Sequence, residues 1–363
     1  MTESDPGKQA VARARHHSPT RLSPALQQDL RRLKRATPIL AVLLVVGVLL
    51  GVARYATGLV MGPQERWVKP LGTPRLYGLS PRTVSFISAD GIPLKAWWEQ
   101  PWAVSVPKGT VILIHGSQMN KTGMAFAAGR LLPQGFNVLL PDLRGHGQSG
   151  GNYTTFGYKE ALDVEAAVRW VRARDPHGPI ALFGYSSGAV AALFAASRTP
   201  GISAVVADSA FSDTRDVLRR EAAFLRHPPP NAAVPWDHRL RLMLFTSPGF
   251  SWVVEWVFRW RAGVPFTVPE ADLLGAVARI NGPHVLYMAS ERDPVVPREM
   301  TDRLYRATAG PHKQLLIQPG AFHSAMAGDV RRYLTTISAF LDDAFGTQAL
   351  PETTLAAPNP RLR

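Results

Sequence analysis

The chain passes from the apolar run Ile180-Ala181-Leu182-Phe183 through Gly184-Tyr185-Ser186-Ser187-Gly188 into the small-residue stretch AVAALFAAS. A strand, a tight turn and a helix joined this closely leave little freedom of fold. The turn strains the serine backbone and lifts its Oγ above the sheet, so the neighbours on both sides have to be small. Gly184 and Gly188 meet that need, while Ala191 and Ala192 let the helix pack closely on the strand. The helix N-terminus favours negative charge developing nearby. Ser186 is therefore the candidate nucleophile.

The surrounding pattern repeats strand and helix. Two candidate strands, around Val84–Ser88 and Leu94–Gln100, flank the turn Ala89-Asp90-Gly91-Ile92 and predict a hairpin. Apolar, β-branched runs follow at Thr110–Ile114, Asn137–Leu140, Ile180–Phe183, Ser203–Ala207, His284–Ala289 and Lys313–Ile317. Between them lie helix-like segments, the clearest being Lys159–Arg174 and Ser187–Ser197. This alternation predicts an α/β fold with a mostly parallel sheet covered by helices on both faces. In such sheets ligands bind at the carboxyl ends of the strands, and each candidate residue falls at such an end.

A serine hydroxyl needs a base before it can attack. His323, in Pro319-Gly320-Ala321-Phe322-His323-Ser324, follows the last strand and is placed to supply it. The base in turn needs a carboxylate to orient its ring. Asp293 follows the run HVLYMAS, in a loop restricted by Pro294 and Pro297; Asp208 and Glu291 are its rivals. An oxyanion hole needs backbone donors. Ser187 N–H supplies one, and the loop His115-Gly116-Ser117-Gln118 the other, with Ser117 ahead of Gln118. His115 directly follows a strand and reads as structural.

These motifs carry a resemblance. From about residue 82 to 345 the chain resembles the α/β-hydrolase superfamily, and within it the serine-aminopeptidase-like branch of monoglyceride-lipase-like and lysophospholipase-like enzymes. The HG loop is matched by His115-Gly116, and the D-x-RGHG-x-S segment by Asp142-Leu143-Arg144-Gly145-His146-Gly147-Gln148-Ser149. The acid loop Gly-x-x-Asp-x-x-x-Pro is matched at Asp293 and Pro297, with Ser290 where glycine is usual. The chain order Ser186, Asp293, His323 is the one this superfamily uses. The resemblance implies a serine hydrolase that forms an acyl-enzyme on small acyl or ester substrates, lipids among them, without metal or organic cofactor. It also implies a structural role for the RGHG segment and a helical cap inserted at 211–280. Within that stretch Trp252, Trp256 and Trp260 recur every four residues, one face of a helix. The simplest reading packs this face onto the core; the other makes it a membrane-facing or acyl-binding surface.

Ahead of the hydrolase-like region, Pro38–Ala53 reads PILAVLLVVGVLLGVA, sixteen residues without a charge. With the flanking YATGLVMG it reaches the length of a membrane span, with Arg54 snorkelling to the interface. Arg31, Arg32, Lys34 and Arg35 precede it, and Arg54, Arg66 and Lys69 follow more sparsely. The positive-inside rule then leaves the N-terminus cytoplasmic and the catalytic domain outside. An uncleaved anchor is expected, because the charged region ahead of the run is long for a cleaved signal peptide. The expected organisation is a disordered basic tail (1–35), a transmembrane anchor (36–61), a linker (62–82), a catalytic domain (83–345) and a disordered C-terminal tail (346–363). The formal charge of +14 raises a nucleic-acid partner, but +5 of it sits in residues 1–35 and no nucleic-acid-binding module is recognisable. With no cysteine, disulfides and thiolate nucleophiles are excluded. The rival readings are a peptidase or thioesterase with the same triad, and a non-catalytic, membrane-tethered binding module.

Overall fold

The computed structural model describes residues 23–61, 72–226, 270–320, 323–324 and 328–348, with Trp252, Glu255, Trp256, Arg259, Trp260, Gly263, Asn359 and Arg361. The chain divides into two units at Val52–Ala53.

The first unit holds most of helix α1 (Pro24–Met61). Residues 24–35, expected to be disordered, are helical in the structure. Ala, Leu, Gln, Lys and Arg dominate there and favour helix. Ser23 Oγ accepts the Leu26 N–H at 3.3 Å, as an N-cap does. From Ile39 to Leu50 the large apolar side chains are exposed. The helix is long and apolar enough to cross a membrane.

In the second unit eight strands form one sheet: β1 (Arg82–Ile87), β2 (Pro93–Glu99), β3 (Gly109–Ile114), β4 (Phe136–Pro141), β5 (Ile180–Tyr185), β6 (Ala204–Asp208), β7 (His284–Ser290) and β8 (Lys313–Gln318). Their order is β1-β2-β4-β3-β5-β6-β7-β8. β2 runs antiparallel to both neighbours, and every other pair is parallel. Each strand expected from the sequence is present, the hairpin included.

Because side chains alternate along a strand, the sheet feeds two cores. Ile112 and Ile114 of β3 join one, under α3 (Glu160–Arg172), α4 (Ser187–Ala196), α6 (Glu270–Val277) and α7 (Arg298–Ala307). Val111 and Leu113 join the other, under α2 (Ala125–Leu131) and α8 (Val330–Phe345). Every residue of α4 is buried. Its many small residues, five alanines and Gly188 among ten, let it sit close against the sheet.

Arg144 joins three elements beneath the carboxyl edge. Its guanidinium donates to Asp163 of α3 at 2.7–3.1 Å, and to Asp90 at 2.6 and 2.8 Å and Ser88 at 3.1 Å in the β1–β2 turn. Asp142 accepts the Lys121 and Gln148 N–H groups, each at 2.8 Å, and pairs with the Lys121 ammonium. These bonds give the D-x-RGHG segment its structural part.

The C-terminal stretch also differs from expectation at the residues described. Asn359 is buried and donates to Gly78 O at 2.9 Å and to Glu99 Oε1 at 3.2 Å. Glu99 Oε2 accepts the Ser80 N–H at 2.9 Å. An amide that completes a buried carboxylate's bonding holds Asn359 against the domain, at a position that composition alone marks as free.

Replacing Arg144 with Met should cost about 3–5 kcal/mol, because it strands the Asp163 carboxylate in the interior. Chemical denaturation of the purified protein would measure this. Arg144 also holds the Asp90 carboxyl down to about 2 from 3.8. That contribution should be complete above pH 4 and fade as pH falls toward 2, and Arg144→Met should weaken the dependence, leaving the part due to Ser88.

Candidate active site

Ser186 sits between β5 and α4 with φ 53° and ψ −121°. A side chain is rarely tolerated there, and such positions cost about 1–3 kcal/mol. The flanking glycines show why the turn needs them. A Cβ on Gly184 would lie 2.4 Å from Gly188 O, and one on Gly188 would lie 2.4 Å from His115 O. The Ser186 N–H is anchored to Asp208 O at 2.8 Å.

The structure brings the expected partners together. Ser186 Oγ lies 3.2 Å from His323 Nε2, and His323 Nδ1 lies 2.9 Å from Asp293 Oδ2. Asp293 Oδ1 accepts the N–H groups of Val295 at 2.8 Å and Val296 at 2.9 Å. The proline-restricted loop thus folds back on its own carboxylate. Asp293 is buried while His323 stays partly open to the cavity. With Asp293 accepting at Nδ1, the ring's Nε2 is free to take a proton from Ser186.

Of the rival acids, Glu291 is exposed. Asp208 is buried, and its carboxylate accepts from Tyr333 at 2.9 Å, Ser209 at 2.9 Å and Ser324 at 3.2 Å. It therefore grips the residue next to His323 rather than the imidazole. Tyr185 adds a second hold by donating its hydroxyl to the His323 carbonyl. Burial, with Asp208 and Asp293 nearby, raises the Tyr185 phenol far above its usual range and keeps that proton in place.

Ser117 and Ser187, the expected oxyanion donors, adjoin each other through a hydroxyl contact of 2.9 Å. Gln118 has φ 57°, so the loop bends sharply just past Ser117. His115 is wholly buried; desolvation lowers it to about 3, so it stays neutral. Its Nδ1–H donates to Gly116 O at 2.8 Å, and Nε2 accepts the Leu143 N–H at 3.1 Å. His146 is also buried, with Nδ1 on Arg144 O. Neither ring lines the cavity over Ser186.

That cavity holds about 400 Å³. Met119, Phe156, Phe211, Val217 and Val295 make its apolar wall, which suits an acyl chain. α5 (Thr214–Arg226) supplies Val217 and a residue no sequence motif marked, Glu221. Gln118 Nε2 donates to Glu221 Oε1 at 3.2 Å. Burial raises the Glu221 carboxyl, and the charge of a protonated His323 pulls it back. A larger groove of about 710 Å³ beside Lys108, Arg130 and Arg331 has neither Ser186 nor His323 in its walls. Among the described residues no cluster of His, Asp and Glu could hold a metal ion.

Much of the expected cap, 227–250 included, lies outside the described residues. Trp252, Trp256 and Trp260 are helical and exposed, at 66%, 56% and 72%. The simplest expectation, a face packed onto the core, is overturned. The described tie of this segment to the domain runs through ions instead, Arg215 to Glu255 at 2.8 Å, and leaves the indoles outside.

A family model described as serine aminopeptidase, S33, matches residues 105–329. Uncharacterized protein YqkD of Bacillus subtilis (strain 168) is 28% identical over 263 residues, 70% of this chain and 77% of its own. Uncharacterized protein Rv2307c of Mycobacterium tuberculosis (strain ATCC 25618 / H37Rv) is 27% identical, over 83% of this chain and 95% of its own. Among solved structures, the Pyrococcus furiosus esterase Pf2001 superposes with a TM-score of 0.60 at 24% identity, covering 77% of this chain and 98% of its own. At that identity the likeness speaks for the fold.

If Asp293 is the acid, Asp293→Asn should slow turnover by about 10⁴-fold, as loss of the orienting carboxylate does in serine triads. Asp208→Asn should slow it by less, since it loosens only the grip on the His323 loop. Steady-state ester hydrolysis by the two purified variants would separate the roles; equal losses would contradict the assignment.

Proposed function

Since the chain belongs to the serine aminopeptidase S33 family, serine hydrolases on the α/β-hydrolase fold, we propose that it is a membrane-anchored esterase whose triad is Ser186, His323 and Asp293. The observation that carries this is the unbroken relay from Ser186 Oγ to His323 at 3.2 Å and from His323 to Asp293 at 2.9 Å.

In this reading Ser186 Oγ attacks the ester carbonyl as its proton passes to His323 Nε2. Asp293 stabilises the imidazolium through Nδ1–H. The carbonyl oxygen takes the negative charge and is held by the N–H groups of Ser187 and Ser117. Collapse expels the alcohol, which receives the proton from His323. Water, deprotonated by the same histidine, then attacks the acyl-enzyme and frees the carboxylic acid and Ser186. The apolar wall of the cavity supports an acyl group as the bound half of the substrate.

The anchor is supported by a helix long and apolar enough to cross a membrane. Four cations, Arg31, Arg32, Lys34 and Arg35, stand just ahead of its uncharged run. They favour a cytoplasmic N-terminus with the catalytic domain on the other side.

One observation favours a second reading, an aminopeptidase with the same triad. Glu221 puts a carboxyl group in the wall of the cavity that holds Ser186 and His323, where a substrate ammonium would find a partner. Under this reading Glu221→Gln would lose aminoacyl amide hydrolysis and leave acetyl ester hydrolysis unchanged.

A fluorophosphonate probe should label the wild-type protein, and Ser186→Ala should abolish both labelling and short-chain nitrophenyl ester hydrolysis. Labelling that survives in Ser186→Ala would refute the nucleophile. For the anchor, Leu44→Asp with Val45→Asp should release the protein from membranes that retain the wild type under alkaline extraction. Each central carboxylate costs about 2.5–3.5 kcal/mol of insertion.

A further inference from the structure

The tryptophan face of the cap is unaccounted for by the chemistry at Ser186. At 100° per residue, Trp256 and Trp260 lie about 40° and 80° around the helix from Trp252, and Arg259 about 20° on its other side. One face thus presents three exposed indoles and a guanidinium. Exposed aromatic clusters of this kind are costly in water unless something covers them.

The ion pair from Arg215 to Glu255 joins this segment to α5, whose outer side exposes Arg215, Arg219 and Arg220. Arg219 and Arg259 have no acidic partner among the described residues. Indoles sharing a face with the Arg259 guanidinium match the boundary between headgroups and acyl chains. There the rings take the apolar side, and the cations meet phosphate. The same chain carries α1, and residues 62–71 span roughly 35 Å at full extension. On the membrane-anchored reading, on which this inference rests, the tether keeps the domain close to a bilayer.

We propose that the face bearing Trp252, Trp256, Arg259 and Trp260 is a docking surface for a lipid bilayer containing anionic phospholipid. Docking there would also bear on the substrate cavity, because the Arg215–Glu255 pair links the face to the helix that contributes Val217 and Glu221.

The absence of cysteine makes the test direct. Full-length protein is reconstituted into phosphatidylcholine–phosphatidylglycerol vesicles with one nitroxide, at Arg259→Cys, Val45→Cys or Ala173→Cys. Collisions with oxygen and with a water-soluble nickel chelate then report depth. The Arg259→Cys label should lie about 5–10 Å below the headgroup level, while Ala173→Cys, exposed after α3, stays in water. Adding Trp252→Ser, Trp256→Ser and Trp260→Ser should return the Arg259→Cys label to water. An Arg259→Cys label as open to the chelate as Ala173→Cys overturns the docking surface. So does one shielded from both colliders, which would mean cover by a second copy or by residues 227–250. Val45→Cys tests α1 separately. If it lies in the bilayer while Arg259→Cys is in water, only the docking surface falls; if both are in water, the anchor falls too.

Discussion

Ser186 occupies a backbone conformation that no isolated peptide would hold, and much of the architecture around it serves to hold it there. The β5–β6 ladder runs up to Tyr185 and Asp208, and the next bond, from Ser186 N–H to Asp208 O, fixes the turn from below. From above, α4 presses so close that Gly184 and Gly188 have no room for a methyl group. Gly188 in turn lies against His115 O, the start of the loop that carries Ser117. The Ser186 turn, the loop that carries Ser117 and α4 are thus locked by mutual contact. The strain is sustained because relaxing it would pull apart a packed core.

The two buried carboxylates at the carboxyl edge divide the work. Asp293 faces the imidazole and is held by its own loop. Asp208 holds the surroundings: its carbonyl fixes Ser186, while its carboxylate fixes Ser324 and Tyr333. A single residue at the end of β6 therefore ties the Ser186 turn to the loop that carries His323. Such positioning matters because a shift of about 1 Å between reacting groups costs on the order of 10²-fold in rate.

What could be read in the sequence was what is local. Short β-branched runs, the glycines around Ser186 and the prolines around Asp293 act within a few residues, so pattern alone reveals them. The part played by Asp208 was hidden because its partners, Ser324 and Tyr333, stand more than a hundred residues away. Glu221 was missed for a similar reason, since nothing in α5 marks which side chain points over Ser186. The stripe of tryptophans was visible, but periodicity reports a shared face and not what that face meets. Helix α1 starts before its apolar run, because good helix formers and a serine cap extend it through charged residues.

The contact of Asn359 with Gly78 and Glu99 bears on how the edge of the sheet opens. Gly78 lies just after the segment by which the chain enters the sheet, and Asn359 comes after its last helix. The amide clamps the way in to the way out, and Arg361 adds a bond to Gln100 O at 3.2 Å. Asn359 and Arg361 thus add hydrogen bonds at the point where the chain enters the sheet and at the end of β2, which local unfolding of the β1–β2 edge would have to break.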